Sequence, residues 1–578
     1  MKKIYTLLVS LLIAASSVTA QETFDWKVAI KAVGEDGYIS NEEDCDLVSD
    51  QENNLIAVGV LGGAFDFDPS ADAELILDQN DNVYPFAAKY TSEGALLWAK
   101  IIAVGQYSSV YVTDVQSDDD NNIYTCGYFQ GEVDFDPSED TLTLDAPKGE
   151  IAFIQKLDKD GKLLWAKKVG TALEASSQIR PNAMRVRSTG IYIAGKFEKK
   201  VQFIEGDDAS IYDPTSSYWD IFAMKLALDG TAEWAYAVGA DGHDMANAID
   251  VDSQGNLYVA GTFEDEIDFA PGPHVENLSA TGTSIFIMKI RSEVDDEGDC
   301  QIDFAQSYGN GFANVGGIDV VNDSHVYFTG MYTNYFTFVT GEANLSTLYR
   351  FENFTACYIP YQYGKEPPFG PQWAVQHTVN AEESEGYPLS KTIVVNNDKI
   401  YTTGTREEDN GIDFCIRAQA NGELITKPIA SAKYFVDPES WTCGFDLCLD
   451  ATGAVYNLAA YNKYIYFQDN DEVISSDSAL SQALILFKHS DKNTAGLNNA
   501  VAEDEVLVYP NPATTSISLS HQDEISSIEI HNLQGAMVKQ IRTNSAENIP
   551  INDLEKGIYF ISIYHNNNLK HLTEFVKR

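Results

Sequence analysis

Short apolar runs ending in glycine recur along most of this chain. Leu55–Gly59, Ile123–Gly127, Ile191–Gly195, Leu257–Gly261, Val326–Gly330 and Ile400–Gly404 carry the pattern, and Val455–Ala459 is a seventh copy without the glycine. The last residues of successive copies are 68, 68, 66, 69, 74 and 55 apart. Strand-like units at such regular spacing predict a repeat architecture. The unit from Trp234 to Ile290 is the best formed. Strands are predicted at Trp234–Gly239, Ala248–Asp252, Leu257–Gly261 and Ile285–Ile290, with a turn at Ser253–Asn256 and a shorter run at Ile267–Phe269 before the loop through Pro271–Pro273. Glycine-bearing turns at Ser92–Gly94, Lys159–Gly161, Leu228–Gly230 and Ala420–Gly422 read as passages to the next unit, glycine supplying the positive φ.

One large aromatic opens most units: Trp26, Trp98, Trp165, Trp234, Phe304 and Trp373. A ring at this place serves as a wedge between neighbouring sheets. The closing strand recurs at Phe86–Lys89, Phe153–Lys156, Phe222–Lys225, Phe286–Lys289, Phe414–Arg417 and Leu486–Lys488, and is degenerate near Cys357. Four strands per unit and seven units predict an all-β fold, a seven-bladed β-propeller over residues 21–490. Units five and six are irregular, which leaves six or eight blades as the alternatives.

The two ends differ in composition. Met1-Lys2-Lys3, an apolar run from Ile4 to Ala15 and small residues through Val18-Thr19-Ala20 predict a signal peptide over 1–20. The run is too short to span a bilayer. After a linker at 491–502, residues 503–578 predict a small β-sandwich of Ig-like type, with strands at Ser516–Ser520, Ile525–Asn532, Ala536–Gln540, Gly557–Tyr564 and Leu569–Lys577 and a turn at Asn532–Gly535.

Tyr509-Pro510-Asn511-Pro512, the segment Ile528–Gly535, the segment Leu554–Ile561 and the basic end Lys577-Arg578 resemble the type A C-terminal sorting domain of the type IX (Por) secretion system. The resemblance implies a periplasmic stage, handling by that secretion machinery, export across an outer membrane, and either release or attachment to the cell surface. The repeat, with Trp-Ala-Lys, Asp-x-x-Gly-Asn-x-Tyr and Asp-Phe-Asp-Pro elements, resembles bacterial SBBP propeller repeats. That resemblance implies a secreted propeller and no particular activity.

The formal charge is −49. The tail from Val501 has ten acids and six bases and the signal two lysines, leaving −47 on residues 21–500. Such a surface is a poor partner for nucleic acid and favours solubility. Seven cysteines leave an odd thiol in an exported chain. Cys126 and Cys415 read as core, while Cys443 and Cys448 are close enough in sequence to pair.

Candidate chemistry is sparse. Asp66-Phe67-Asp68-Pro69 followed by Asp72, and Asp134-Phe135-Asp136-Pro137 followed by Asp140, offer carboxylates of the kind that hold a weak extracellular Ca²⁺, with a degenerate copy at Asp268–Gly272. The plainer reading makes each Phe a core contact and each Asp-Pro a turn. Asp118–Asn122 reads as a polar hairpin for the same reason. The histidines form no metal-binding pair, and neither a nucleophile elbow nor a phosphate loop is present. No catalytic residue or cofactor is assigned. The sequence therefore points to a secreted or surface binding propeller for an extracellular glycan, protein or peptide, whose Tyr-rich segments 332–338, 358–363 and 461–467 offer aromatic contacts. A structural surface protein with Ca²⁺-stiffened blades and a hydrolase or lyase acting on an extracellular polymer are the alternatives.

Overall fold

The computed structural model describes residues 23–577 with interruptions, the longest at 377–388, 431–441 and 491–507; the predicted signal and linker lie outside the described residues. The chain forms a large compact unit, Phe24–His489, and a smaller one toward the C-terminal end. The described secondary structure is β throughout.

In the large unit, each repeat becomes an antiparallel sheet. The first is Asp46–Ser49, Leu55–Gly62, Val83–Tyr90 and Leu96–Ile101; the second is Ser109–Ser117, Ile123–Asp134, Thr143–Leu157 and Leu163–Val169. The third is Gln178–Arg187, Gly190–Glu198, Asp220–Leu226 and Ala232–Val238; the fourth is Met245–Val251, Leu257–Phe263, Ser284–Val294 and Cys300–Tyr308. The fifth is Ala313–Val321, His325–Thr337, Asn344–Ile359 and Gly370–Gln376; the sixth is Leu389–Asn396, Lys399–Arg406, Phe414–Gln419 and Leu424–Ala430. Thr442–Leu449, Val455–Asn462 and Gln482–Ser490 make up a last sheet, and its fourth strand is Thr23–Ala32 from the start of the chain. The opening strands of successive sheets lie against each other. Repeated four-stranded sheets arranged in this way form a β-propeller.

The frame of the sequence repeat is therefore one strand out of step with the sheets. The Trp-bearing strand does not open a unit; it ends the preceding sheet. Trp98 pairs with Lys89, Trp165 with Lys156 and Trp234 with Lys225. The turns at Gly94, Gly161 and Gly230, with φ of 84, 71 and 80°, join the third and fourth strands within a sheet. The wedge role holds for these rings. Trp98 donates its indole N–H to the Lys159 carbonyl at 3.2 Å, and a Cβ added at Gly161 would sit 3.1 Å from its ring. Trp165 meets Gly230 of the next sheet at the same distance.

The cores lie between neighbouring sheets. One joins Leu47, Ala57 and Phe86 of the first sheet to Cys448, Tyr456 and Leu484 of the last. Others join Tyr192 and Ile221 to Val259 and Phe286, and Ala260 and Ile287 to Phe328 and Phe354. Each buried side chain of this size contributes roughly 1.5–3 kcal/mol. Tyr332, Tyr358 and Tyr461 of the Tyr-rich segments are buried here, so their described rings serve the core rather than a ligand surface.

The recurring glycine has a steric cause. The opening strand carries a bulge, at Thr113 in the second sheet and Asn247 in the fourth, that pushes a carbonyl over the glycine of the second strand. A Cβ on Gly127 would lie 1.9 Å from the Tyr111 carbonyl oxygen, and one on Gly261 2.0 Å from that of Met245. In the last sheet the glycine has moved across the pair: Ala459 faces Gly444.

The smaller unit has two sheets. Val508–Tyr509, Ser516–Leu519 and Ile549–Pro550 form one; Met537–Ile541, Ser527–Asn532, Gly557–His565 and Asn568–Lys577 form the other. Ile517 and Ile549 of the first share a core with Ile528, Ile530, Tyr559 and Ile561 of the second. The tight part of the predicted turn, residues 533–535, lies outside the described residues.

Cys126, Cys357 and Cys448 are buried thiols, so the local Cys443–Cys448 bond is not made. Both cysteines lie in the single strand Thr442–Leu449, and Cys443 turns to the Gly444 carbonyl. Cys415 lies where side chains are not described.

Gly127→Val is expected to destabilise the large unit by about 1–3 kcal/mol, the usual cost of overpacking. Ala459→Gly should change stability far less, because the space there is supplied by Gly444. Chemical denaturation of both variants checks this.

Candidate functional site

The repeated Asp-Phe-Asp-Pro motif closes a loop. Asp66 Oδ1 accepts the backbone N–H groups of Asp68 and Leu75, both at 3.0 Å. Asp134 Oδ1 accepts those of Asp136 and Leu142 at 3.0 and 2.8 Å, and Asp268 Oδ1 those of Ala270 and Glu276 at 3.1 and 2.8 Å. Asp68 and Asp136 each accept from the Ser two residues on. Asp140 donates its N–H to Ser138 Oγ. Asp72 lies outside the described residues. Phe67 and Phe135 are buried. This is the Asx-turn behaviour of aspartate. Among the described residues no group of three or more His, Cys, Asp and Glu is disposed to hold a metal ion.

The Asp118 hairpin is satisfied internally. Its carboxylate takes the N–H of Asp120 and Asn122, the Asn122 amide and the Tyr124 hydroxyl, and pairs with Lys156 at 3.1 Å. Asp252 repeats this with Asn256 and Lys289, and Asp50 with Asn54 and Lys89, the latter pair at 2.7 Å and fully buried. The lysine lies over the tyrosine in both the Lys156–Tyr124 and Lys289–Tyr258 pairs, at 4.6 and 4.9 Å.

A second set of aspartates, which sequence reasoning missed, links the opening strands. Asp46 Oδ2 accepts the N–H of Val115 (2.7 Å), and Asp114 Oδ2 that of Met184 (2.9 Å). Asp250 Oδ2 accepts the N–H of Val320 (2.8 Å), Asp319 Oδ2 that of Val395 (2.6 Å) and Asp446 Oδ2 that of Leu47 (3.0 Å). Each bond runs from one sheet to the next. Thr392 donates to Asp446 at 2.7 Å, and Arg187 pairs with Asp250 at 2.9 Å. Arg185 lies 3.7 Å from both Asp114 and Asp250. Its burial works against the charge, but these carboxylates outweigh it and raise its pKa.

Three carboxylates of this set, Asp46, Asp114 and Asp319, are costly to ionise. Burial, reinforced by the charge of Asp446, holds Asp46 well above the usual carboxylate range. Burial lifts Asp114 to about 6 against the pull of Arg185, and lifts Asp319 to about 7 with help from Asp250. All five aspartates are committed to neighbouring strands, so this central set holds the sheets together rather than presenting groups to a substrate.

At the sheet ends a different set of side chains gathers. Tyr111 stacks on Tyr128 at 5.0 Å. The Arg180 guanidinium lies 4.7 Å from the Tyr128 ring and 5.3 Å from that of Trp219. Lys196 lies 5.1 Å from the Trp219 ring and 3.7 Å from Met245 Sδ. Glu150 fixes Arg180 from the side, accepting from Nε and Nη2 through one oxygen. Beside Trp219, the exposed Tyr218 meets the exposed His243 edge-on at 4.9 Å. The register explains the gathering. Arg180 pairs with Lys196 and Lys196 with Ile221, at the start of the strand that Trp219 precedes. No sequence motif marks this row, because its members come from the second, third and fourth sheets.

Residues 507–578 match the family described as the secretion system C-terminal sorting domain. This tail indicates export through the type IX system, to the cell surface or beyond. Among the described residues no helix is long and apolar enough to cross a membrane. The chain is also similar to an uncharacterized WD repeat-containing protein L264 of Acanthamoeba polyphaga mimivirus, 22% identical over 193 residues, a match covering 30% of this chain and only 14% of that protein. Among solved structures it is similar to PorZ, an essential surface component of the type IX system of Porphyromonas gingivalis, at 12% identity over 92% of this chain and 81% of that one, TM-score 0.19. The β-propeller domain of the Trilobed protease from Pyrococcus furiosus is 10% identical over 77% of this chain and 99% of its own, TM-score 0.32. A polysaccharide lyase of family PL25, an ulvan lyase, is 10% identical over 82% and 99%, TM-score 0.39.

The raised carboxylates set a pH dependence. A buried acid whose pKa rises on folding stabilises the fold fully below its unfolded pKa, and that stability is lost as pH rises through the folded value. Stability should therefore fall between about pH 4 and 7, the window set by the ordinary carboxylate value and the raised values of Asp114 and Asp319. Asp319→Asn should flatten the upper part of this slope in thermal unfolding of the full chain from pH 4 to 8. An unchanged slope would mean that Asp319 ionises as readily in the folded chain as in the unfolded one.

Proposed function

We propose that this protein is an extracellular binding module: a seven-bladed β-propeller, exported with an Ig-like sorting domain at its C-terminal end, that engages a glycan, protein or peptide at its sheet ends. The blade number and ring closure are supported by contacts between the last sheet and the start of the chain. Thr23–Ala32 completes the sheet of Gln482–Ser490. Leu47 N–H reaches Asp446, Ser49 Oγ reaches the Leu449 carbonyl at 2.6 Å, and Ala451 N–H reaches Asn53 at 3.0 Å.

The observation that carries the binding reading is the row Tyr111, Tyr128, Arg180, Trp219 and Lys196. Aromatic faces beside oriented cations, at strand ends fixed by a rigid scaffold, suit recognition. The central aspartates, by contrast, are occupied by backbone N–H groups.

The full chain, applied to an array of extracellular glycans and peptides, should bind a subset of them. Trp219→Ala should weaken that binding by about tenfold or more, as expected for a buried aromatic anchor, while leaving the unfolding midpoint close to that of the parent. Binding that is indifferent to Trp219 would move the site elsewhere, and failure to bind any class would sink the binding reading.

A further inference from the structure

We propose that the row at Arg180, Trp219 and Lys196 takes an acidic polysaccharide, a polymer bearing uronate carboxylates or sulfate esters. This rests on the binding reading above and adds the charge class of the ligand.

The first argument is charge distribution. From Pro147 to Lys225 there are thirteen Lys and Arg against ten Asp and Glu, a balance of +3. The remainder of residues 21–500 therefore carries −50. A polyanion approaching such a molecule is repelled by most of its chain, and the basic stretch is where it is tolerated. Position is set by long-range repulsion as much as by contact.

The second argument is the state of Arg180. Tyr128 and Trp219 flank its guanidinium, and Glu150 engages only the Nε and Nη2 side. Nη1 makes no contact among the described residues, and the side chain keeps 28% of its exposure. An arginine held in place before binding loses less entropy on meeting a ligand, and its planar fork matches carboxylate and sulfate oxygens. Tyr128 is buried, with Tyr111 and Arg180 against its ring, so the apolar surface left for a sugar ring is that of the partly exposed Trp219 and Tyr111, with the exposed Tyr218 and His243 beyond it. Of the carboxylates close to the row, Glu150 is paired with Arg180, and Asp220, next to Trp219, is pushed up to about 7 by burial and by the charge of Asp244; Glu264 beside His243 accepts the His243 backbone N–H and the Thr283 hydroxyl.

A nucleic acid would meet the same repulsion with a far higher charge density. A neutral glycan would use the rings and leave the cations without a role. The acidic saccharide uses both.

The test is binding of the full chain to polygalacturonate, dextran sulfate and neutral dextran, by calorimetry at low and high salt. The acidic polymers should bind and neutral dextran should not, with affinity falling steeply as salt rises. Arg180→Gln combined with Lys196→Gln should cost about tenfold or more in affinity. If that variant unfolds, Arg180→Lys keeps the charge, loses the planar fork and should still weaken binding. Preference between the uronate and sulfate polymers identifies the anionic group. Acidic polymers binding equally to parent and variant would overturn the proposal. Neutral glycans binding while the acidic polymers do not would also overturn it and leave the binding reading standing. No saccharide binding, with peptides bound on the array, would overturn it for glycans altogether.

Discussion

The large unit depends on how the exposed edge of each opening strand is satisfied. An opening strand pairs with its own sheet on one side only, and its outward N–H groups face the neighbouring opening strand rather than water. Unpaired backbone donors in such a place are costly. An aspartate from the preceding sheet accepts one of them at five of the junctions, Asp446 to Leu47 and Asp319 to Val395 among them. At the junction of the third and fourth sheets Arg187 reaches Asp250, and Asn182 reaches the Ala246 carbonyl at 2.8 Å. The links are polar and directional, so they fix the register of one sheet against the next, which the apolar cores between sheets do not do alone.

This solution carries a charge problem. Carboxylates are buried close together, and the cations among them are chiefly Arg185 and Arg187. Burial penalises the ionised forms, and Arg185 offsets this at Asp114 and, together with Arg187, at Asp319. Burial and the charge of Asp446 hold the pKa of Asp46 well above the usual carboxylate range. The raised values of Asp114 and Asp319 express the same strain at lower intensity. Stability is therefore tied to acidity at the junctions between the opening strands.

Much of the architecture was legible because the repeat is written in short-range signals. The apolar run, with its glycine in all but the last sheet, predicted the second strand, and in the second to fifth sheets the structure supplies the reason: a carbonyl of the opening strand sits where a side chain would stand. The Phe-to-Lys run predicted the third strand, whose lysine in the second and fourth sheets spans to the hairpin aspartate and covers the tyrosine between them. The strand frame was legible only up to a shift. Hairpin turns look alike whether they join strands within a sheet or pass between sheets, and the Trp strand reads as a beginning because the chain itself begins with one. That first strand instead finishes the last sheet, a pairing more than four hundred residues long in sequence that no local signal records. The site was hidden for a related reason. Arg180, Trp219 and Lys196 are ordinary residues in their own strands, and only the register of the third sheet brings them under one another. The acidic Asp-Phe-Asp-Pro motifs repeat, and their described carboxylates accept backbone N–H groups of their own loops.

That contrast bears on where function resides. Residues that recur at one place in several sheets, such as the hairpin aspartates, the tyrosine–lysine pairs and the wedge tryptophans, solve problems that those sheets share. A ligand, unless it has the symmetry of the ring, is met by side chains that break the repeat. Arg180 stands where the second sheet has no base, and Trp219 precedes a third strand that elsewhere opens without a tryptophan. Arg185 and Arg187 break the acidic pattern of the opening strands in the same sheet. The departures thus collect in one sector, where the chain also reverses its charge. The junction aspartates are engaged by backbone N–H groups, whereas Tyr218 and His243 beyond the sheet ends are exposed. In this propeller the repeated positions carry the scaffold, and the exceptions in this sector are cationic and aromatic.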